Sequence, residues 1–266
     1  MKAVKLFDVT GQVAFVTGAA SGLGFAMAEV LAEHGARVTM ADIDGAALET
    51  RVRTMREAGC AVEAAVLDVT DSEALRHRID ALAKQHGRLD AVFANAGISS
   101  GPGFGTVAGR TAGQIDHTSL ATWEKLLDMN LTSVFVTLQA AAAHMKPQKS
   151  GRLIVTSSIA GLRADSLVGY PYAVTKAALH NLVRQAAKEL APYNVLVNAI
   201  APGVFFTRIA GGKLHDPAVY EEFRRGIPLG RIAEPEEIKG LALFLASPAS
   251  SYLTGAVIPL DGGVTA

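Results

Sequence analysis

A chain of 266 residues, half of them hydrophobic, is long enough to bury a sizeable core as one large α/β domain or two small ones. Twenty-five basic residues balance twenty-five acidic ones, so no net field recruits nucleic acid or an anionic membrane, and partners are expected among small molecules or copies of the chain itself. The single cysteine, Cys60, excludes an internal disulfide framework and fits a reducing, cytoplasmic compartment. The amino-terminal residues lack the apolar content of a signal peptide, no apolar run reaches the length of a membrane span, and the seven histidines are scattered without metal-ligand spacing.

Val13 to Thr17 is a short apolar, β-rich run bounded by Gly11 and Gly18, which predicts a buried strand. Gly18, Gly22 and Gly24 follow in a GxxxGxG turn, and an amphipathic stretch then runs to His34. Strand, glycine-rich turn and helix together make a cradle for a pyrophosphate: glycines admit close backbone approach, and the helix amino end offers unpaired N–H groups and partial positive charge. The spacing differs from the commoner GxGxxG fingerprint. A second strand from Arg37 ends at Asp42, whose carboxylate is placed to accept hydrogen bonds from both ribose hydroxyls of an adenosine. It would also repel a 2′-phosphate, and Ser21, before the second glycine, supplies no cation to balance one, so NAD is expected over NADP. Asp44 is the better candidate to cap the next helix.

That helix covers residues 46–58, and a third strand over 61–67 ends at Asp68. Asp68 with Val69 reaches toward an adenine edge, or Asp68 is a plain strand-end turn residue; the chemistry allows both. A helix over Ser72–His86 precedes a strand that runs into Asn95, Ala96 and Gly97. Elements alternate with no composition shift or linker, which predicts a single doubly wound parallel sheet, one domain over 1–266. The polar, glycine-rich stretch 98–118 exceeds an ordinary connection and reads as a binding loop or a mobile flap. A long helical pattern over 120–145 carries Asn130 in its middle, where a buried amide is costly unless it is used.

The run from Arg152 reads as a buried strand, with Ser157 and Ser158 at its carboxyl end, the edge where open α/β sheets bind ligands. Tyr172 and Lys176 stand i, i+4 at the start of an Ala-rich helix, so both leave one face. A fixed ammonium at ~4 Å in an effective dielectric of ~20 favours phenolate by roughly 4 kcal/mol, enough for the phenol to exchange protons near neutral pH. The helix, residues 173–190, is apolar on two sides, which suggests a subunit contact. A strand from Asn194 closes at Pro202 and Gly203; Thr207 then opens an irregular stretch to Pro228, read as a substrate lid over 207–228. Arg208 and Arg225 there are read as solvated charge in preference to binders of an acidic substrate. A helix over 236–246 and a last strand ending in Asp261, Gly262 and Gly263 complete the chain.

Taken in order, Thr-Gly-Ala-Ala-Ser-Gly-Leu-Gly at 17–24, Asn-Ala-Gly at 95–97, Asn130, Ser158, Tyr-Ala-Val-Thr-Lys at 172–176, Pro-Gly with Thr207, and Asp-Gly-Gly at 261–263 resemble the classical short-chain dehydrogenase/reductase family over nearly the whole chain. The resemblance implies a Rossmann-type α/β fold with helices on both faces. It implies a catalytic tetrad of Asn130, Ser158, Tyr172 and Lys176: Tyr172 exchanges the proton on the substrate oxygen, Ser158 holds that oxygen, Lys176 lowers the Tyr pKa and binds the nicotinamide ribose, and Asn130 positions a relay water. It places the cofactor along Gly18, Ser21, Gly22, Leu23, Gly24, Asp42, Asp68, Val69, Asn95, Gly97, Tyr172, Lys176, Pro202, Gly203, Phe205 and Thr207. Of the two adjacent serines, Ser158 begins the Ser-Ile-Ala-Gly end of the family motif. Tyr170 competes with Tyr172, yet Val174 stands where its lysine would have to be. Phe205 replaces a smaller aliphatic residue and would narrow the pocket at the nicotinamide amide.

The expected activity is NAD-dependent interconversion of a secondary alcohol, polyol, sugar or cyclic alcohol with its ketone, in a homotetramer, though a dimer satisfies the same two-sided helix. An NADPH-dependent 3-oxoacyl-carrier reductase is the alternative within the class, and a non-catalytic nucleotide sensor the alternative outside it.

Overall fold

Seven short runs of β-branched and small apolar residues, each too short and too evenly apolar for a surface helix, become the centre of the molecule. In the computed structural model, which describes residues 3–207, 209, 214 and 216–266, they form one sheet in the order β3-β2-β1-β4-β5-β6-β7, every neighbouring pair parallel. The strands are β1 (Val13–Thr17), β2 (Arg37–Asp42), β3 (Val62–Val66), β4 (Ala91–Ala94), β5 (Gly151–Thr156), β6 (Val195–Pro202) and β7 (Val257–Leu260). Winding reverses between β1 and β4, and that reversal opens a crevice at the carboxyl ends of the two strands.

Ten helices are described: α1 (Ala3–Leu6), α2 (Gly22–Glu33), α3 (Gly45–Glu57), α4 (Ser72–His86), α5 (Gly109–Ala112), α6 (Leu120–Leu127), α7 (Ser133–Gln148), α8 (Tyr170–Leu190), α9 (Pro217–Arg224) and α10 (Lys239–Ala246). On one face of the sheet, Leu75, Ile79 and Leu82 of α4 pack with Val134 and Leu138 of α7 and Leu179 and Val183 of α8. On the other, Met27 and Leu31 of α2, Leu48 and Val52 of α3 and Leu245 of α10 fill a second core. Both faces are thus covered, as the alternating pattern predicts.

Local signals set several boundaries. Asp44 accepts from Ala47 N at 3.0 Å and starts α3. Asp71 accepts from Ala74 N at 3.0 Å at the start of α4, and Gly87, at φ 67°, ends it in the left-handed region. Three stretches depart from the sequence expectation. The helical pattern over 120–145 is α6 and α7 joined by a π turn, Asp128–Thr132. Together they make one helix, Leu120–Gln148, of 29 residues, whose most apolar 18-residue window has a mean hydropathy of 1.3; by length and composition it could cross a membrane although no such run was expected, and half of that window is buried within the fold, which accounts for the composition.

The stretch 98–118 is docked: Gly103 N and Gly105 N donate to Leu167 O and Ser166 O at 3.2 and 2.8 Å, and the Phe104 ring stacks on Tyr170 at 5.7 Å. A methyl on Gly103 would stand 2.3 Å from Ser166 O, so only glycine permits this backbone-on-backbone contact. Within 207–228, expected to be irregular, α9 forms because Asp216 accepts from Ala218 N at 2.8 Å and Pro217 takes the first helical position. Leu214, Ile227 and Ile232 gather Tyr220 and Phe223 into a small separate core there. Arg208, Gly211 and Gly212 lie outside the described residues.

Candidate active site

The turn after β1 is held by Thr17 and Asn95. Thr17 Oγ1 accepts from Asn95 N and Ala96 N, each at 3.0 Å, and Asn95 Nδ2 donates to Thr17 O at 3.0 Å and Gly18 O at 3.3 Å. A methyl on Gly24 would lie 2.1 Å from Gly18 O and 2.4 Å from Asn95 Nδ2, so α2 can begin this close to the turn only at glycine. Ser21, the residue before α2, is extended and its side chain makes no capping bond. Among the described residues no side chain accepts from the first-turn N–H groups of Gly22, Leu23 and Gly24, which is the donor set a pyrophosphate requires. Thr207 closes the turn from the far side, its Cγ2 being 3.2 Å from where a methyl on Gly22 would stand.

At the end of β2, half-buried Asp42 accepts from Ala20 N at 2.9 Å through Oδ2 and from Asp44 N at 3.0 Å through Oδ1. Its carboxylate is thereby fixed beside the glycine turn, with lone pairs left over. Asp68 is exposed and accepts from Thr70 N at 2.9 Å and Thr70 Oγ1 at 2.7 Å, the arrangement of a turn residue, while Val69 beside it is buried.

Across the crevice, β5 delivers two serines to opposite faces. Ser157 turns inward: its hydroxyl lies 2.6 Å from His180 Nε2 and donates to Lys176 O at 3.2 Å. Ser158 Oγ accepts from Ala160 N at 3.1 Å, and its hydroxyl is near enough to the Tyr172 phenol to lower that group's pKa. Lys176 is 3% exposed, and its ammonium donates to Thr156 O at 3.0 Å. Burial holds it down to about 8. Gly97, in the loop after β4, lies between these groups, so that a methyl there would stand 3.1 Å from Asn130 Oδ1 and 3.7 Å from Lys176 Nζ.

Two expectations change here. Lys176 Nζ lies 5.5 Å from the Tyr172 ring centroid, and its hydrogen bond goes to a carbonyl. Burial is the stronger influence on the phenol and holds it above its ordinary value; the Ser158 hydroxyl pulls it down and the Asp165 charge pushes it up. The Asn130 amide, fully buried, is spent on one residue: Oδ1 accepts from Ile98 N and Nδ2 donates to Ile98 O, both at 2.9 Å. The π turn sets that reach, since its wider winding displaces Asn130 from the α-helical register.

The remaining residues line the same edge. Pro202 ends β6, and Gly203 N donates to Leu260 O at 2.9 Å, with Asp261 Cα 2.8 Å from a methyl placed on Gly203. The Phe205 ring is buried and lines a small cavity with Ile227, Leu229 and Leu260. Tyr170 is engaged in its stack with Phe104. Sequence reasoning missed His180, although its i, i+4 step from Lys176 was visible; it also missed Asp165 as a charge acting on Tyr172.

A family model described as enoyl-(acyl carrier protein) reductase matches residues 18–265. The chain belongs to the classical short-chain dehydrogenase/reductase family and is an oxidoreductase of that family. It is 36% identical over 262 residues to a rhamnolipids biosynthesis 3-oxoacyl-[acyl-carrier-protein] reductase of Pseudomonas aeruginosa, covering 97% of each chain. It is equally 36% identical over 271 residues to a trans-4-hydroxycyclohexanecarboxylate dehydrogenase of Sinomonas cyclohexanicum, covering 97% of this chain and 94% of that one. Among solved structures, a gluconate 5-dehydrogenase from Burkholderia cenocepacia in complex with NADP and tartrate superposes with a TM-score of 0.89 at 32% identity, covering 99% of this chain and 98% of that one.

Proposed function

We propose that this chain is an NAD(H)-dependent enzyme interconverting a secondary alcohol, including polyol, sugar or cyclic alcohols, with its ketone. The observation that carries the reading is the convergence of Ser158, Tyr172 and Lys176 at the strand edge that also holds the uncapped amino end of α2. NAD, when bound, supplies the hydride acceptor and donor. Tyr172 Oη gives or takes the proton on the substrate oxygen. A phenol kept protonated by burial is ready to donate to a carbonyl, and the Ser158 hydroxyl favours the phenolate needed for oxidation. Ser158 Oγ holds the substrate oxygen, and Lys176 supplies positive charge and a donor to ribose. With the amide of Asn130 committed to Ile98, its water-holding role falls to the main-chain carbonyl.

Gly18, Ser21, Gly22, Leu23 and Gly24 take the pyrophosphate, Asp42 the adenosine ribose, and Asp68 and Val69 the adenine side. Asn95, Gly97, Pro202, Gly203, Phe205 and Thr207 complete the nicotinamide side. The chain acts as one catalytic domain over 1–266 with a lid around 207–228, assembled as a cytoplasmic homotetramer. Exposed Phe135 on α7 and Val174 on α8 support the assembly.

NADPH-dependent 3-oxoacyl-carrier reduction is the second reading, favoured by the printed activity of the Pseudomonas relative and by the NADP in the Burkholderia structure. Against it stands the fixed carboxylate of Asp42, with no lysine or arginine at 18–24 or 42–44. The intact Ser158, Tyr172 and Lys176 group argues against a sensor without turnover. Initial rates with NAD and NADP across alcohols, sugars and hydroxy acids test the reading; a clear preference for NADP overturns the cofactor assignment.

A further inference from the structure

Tyr172, Lys176 and His180 follow one another at i, i+4 steps and form one stripe along α8. The first two face the crevice chemistry; the third is a buried polar group that the proposed reaction does not use. His180 is 4% exposed and Ser157 3% exposed. Their side chains meet at 2.6 Å, the Ser157 hydroxyl donates to Lys176 O at 3.2 Å, and Ser157 N donates to Ile200 O at 2.8 Å, so one residue ties β5 to α8 and β6 together. Gly161 lies on the backbone of α8, where a methyl would stand 2.6 Å from Lys176 C and 2.7 Å from Lys176 O. The segment 157–161 is therefore fastened to α8 at both ends.

Ser158 sits between those fastenings. Its side chain leaves the opposite side of the strand from Ser157 and is the hydroxyl that acts on the Tyr172 phenol. Packing alone does not call for a hydroxyl and an imidazole in this core, because two apolar groups of the same shape avoid the desolvation cost. What the polar pair adds is a single permitted register between the end of β5 and the helix. Burial and the neighbouring charge of Arg184 favour the neutral imidazole.

We infer that His180 is a positioning residue whose contact with Ser157 clamps the end of β5 to α8 and so sets the separation of Ser158 from Tyr172. The inference rests on the roles proposed above for Ser158 and Tyr172. His180→Ala should lower kcat by ~10- to 100-fold, the scale of a small misplacement of a reacting group, with the alcohol KM and the NADH Kd within about twofold of wild type. His180→Gln, whose amide nitrogen reaches the place of Nε2, should recover most of that loss. Ser157→Ala should reproduce the Ala effect and serves if His180→Ala does not fold. Crystal structures of wild type and of either variant should show Ser158 Oγ displaced away from the phenol in the variant. An unchanged kcat, or a kcat loss that His180→Gln shares in full, overturns the inference. Absence of alcohol turnover by wild type overturns the functional reading instead, and the crystallographic separation then decides the clamp alone: an unmoved Ser158 overturns it.

Discussion

Lys176 holds a charge where its surroundings make charge expensive. Its pKa falls from an ordinary 10.5 to about 8 because the ammonium is buried. Between those two pH values the folded protein binds fewer protons than the unfolded chain, so this residue makes stability rise with pH across that window; below about pH 8 the full penalty, about 3 kcal/mol, is present. Lys176→Met removes the penalty but also the charged bond to Thr156 O, worth about 1.5–3 kcal/mol. At pH 7 the variant is therefore expected to melt higher than wild type while losing turnover, with the advantage shrinking as pH rises through 10.5; thermal unfolding across pH measures this. The sign of the Tyr172 shift is a second lesson at this scale. The i, i+4 spacing made the Tyr172–Lys176 pair legible, but whether charge or burial dominates depends on how deeply the fold encloses the ring, which spacing does not encode.

Elements framed by local chemistry were the readable ones. Helix α4 has a capping Asp71 and a left-handed Gly87, and its pattern gives both ends; β1, β2 and α3 were similarly legible. The π turn was not, because it exists to bring Asn130 onto Ile98, a contact far away in the chain. Nor was the docking of 102–113 on 166–168, which is backbone against backbone and leaves only its glycines as a trace. The glycine turn itself is an element whose prediction is quantitative in geometry: Gly24→Ala places a methyl 2.1 Å from a carbonyl oxygen, so α2 must move off the turn. NADH binding, followed by fluorescence titration, should weaken by ~100-fold or more, and the melting temperature should drop, since overpacking of this kind costs about 1–3 kcal/mol.

At the scale of the molecule, both faces of the sheet are covered and the crevice lies where winding reverses, so the cradle from β1 and the reactive groups from β5 and α8 converge from segments far apart in sequence. The exposed side of α8 near its start, with Val174 and Ala177, remains uncovered within one chain. Val174→Glu should lower the mass found by light scattering from that of the proposed tetramer toward a dimer or monomer, whereas an unchanged mass would place the contact elsewhere. The account as a whole turns on one proton at one phenolic oxygen. The direct measurement is NAD reduction by a secondary alcohol that wild type oxidises, compared with Tyr172→Phe, alongside NADH binding by both proteins. The expected result is a rate lower by ~1,000-fold or more with binding unchanged; equal rates in the two proteins would contradict the assignment of Tyr172 as the proton-exchanging group.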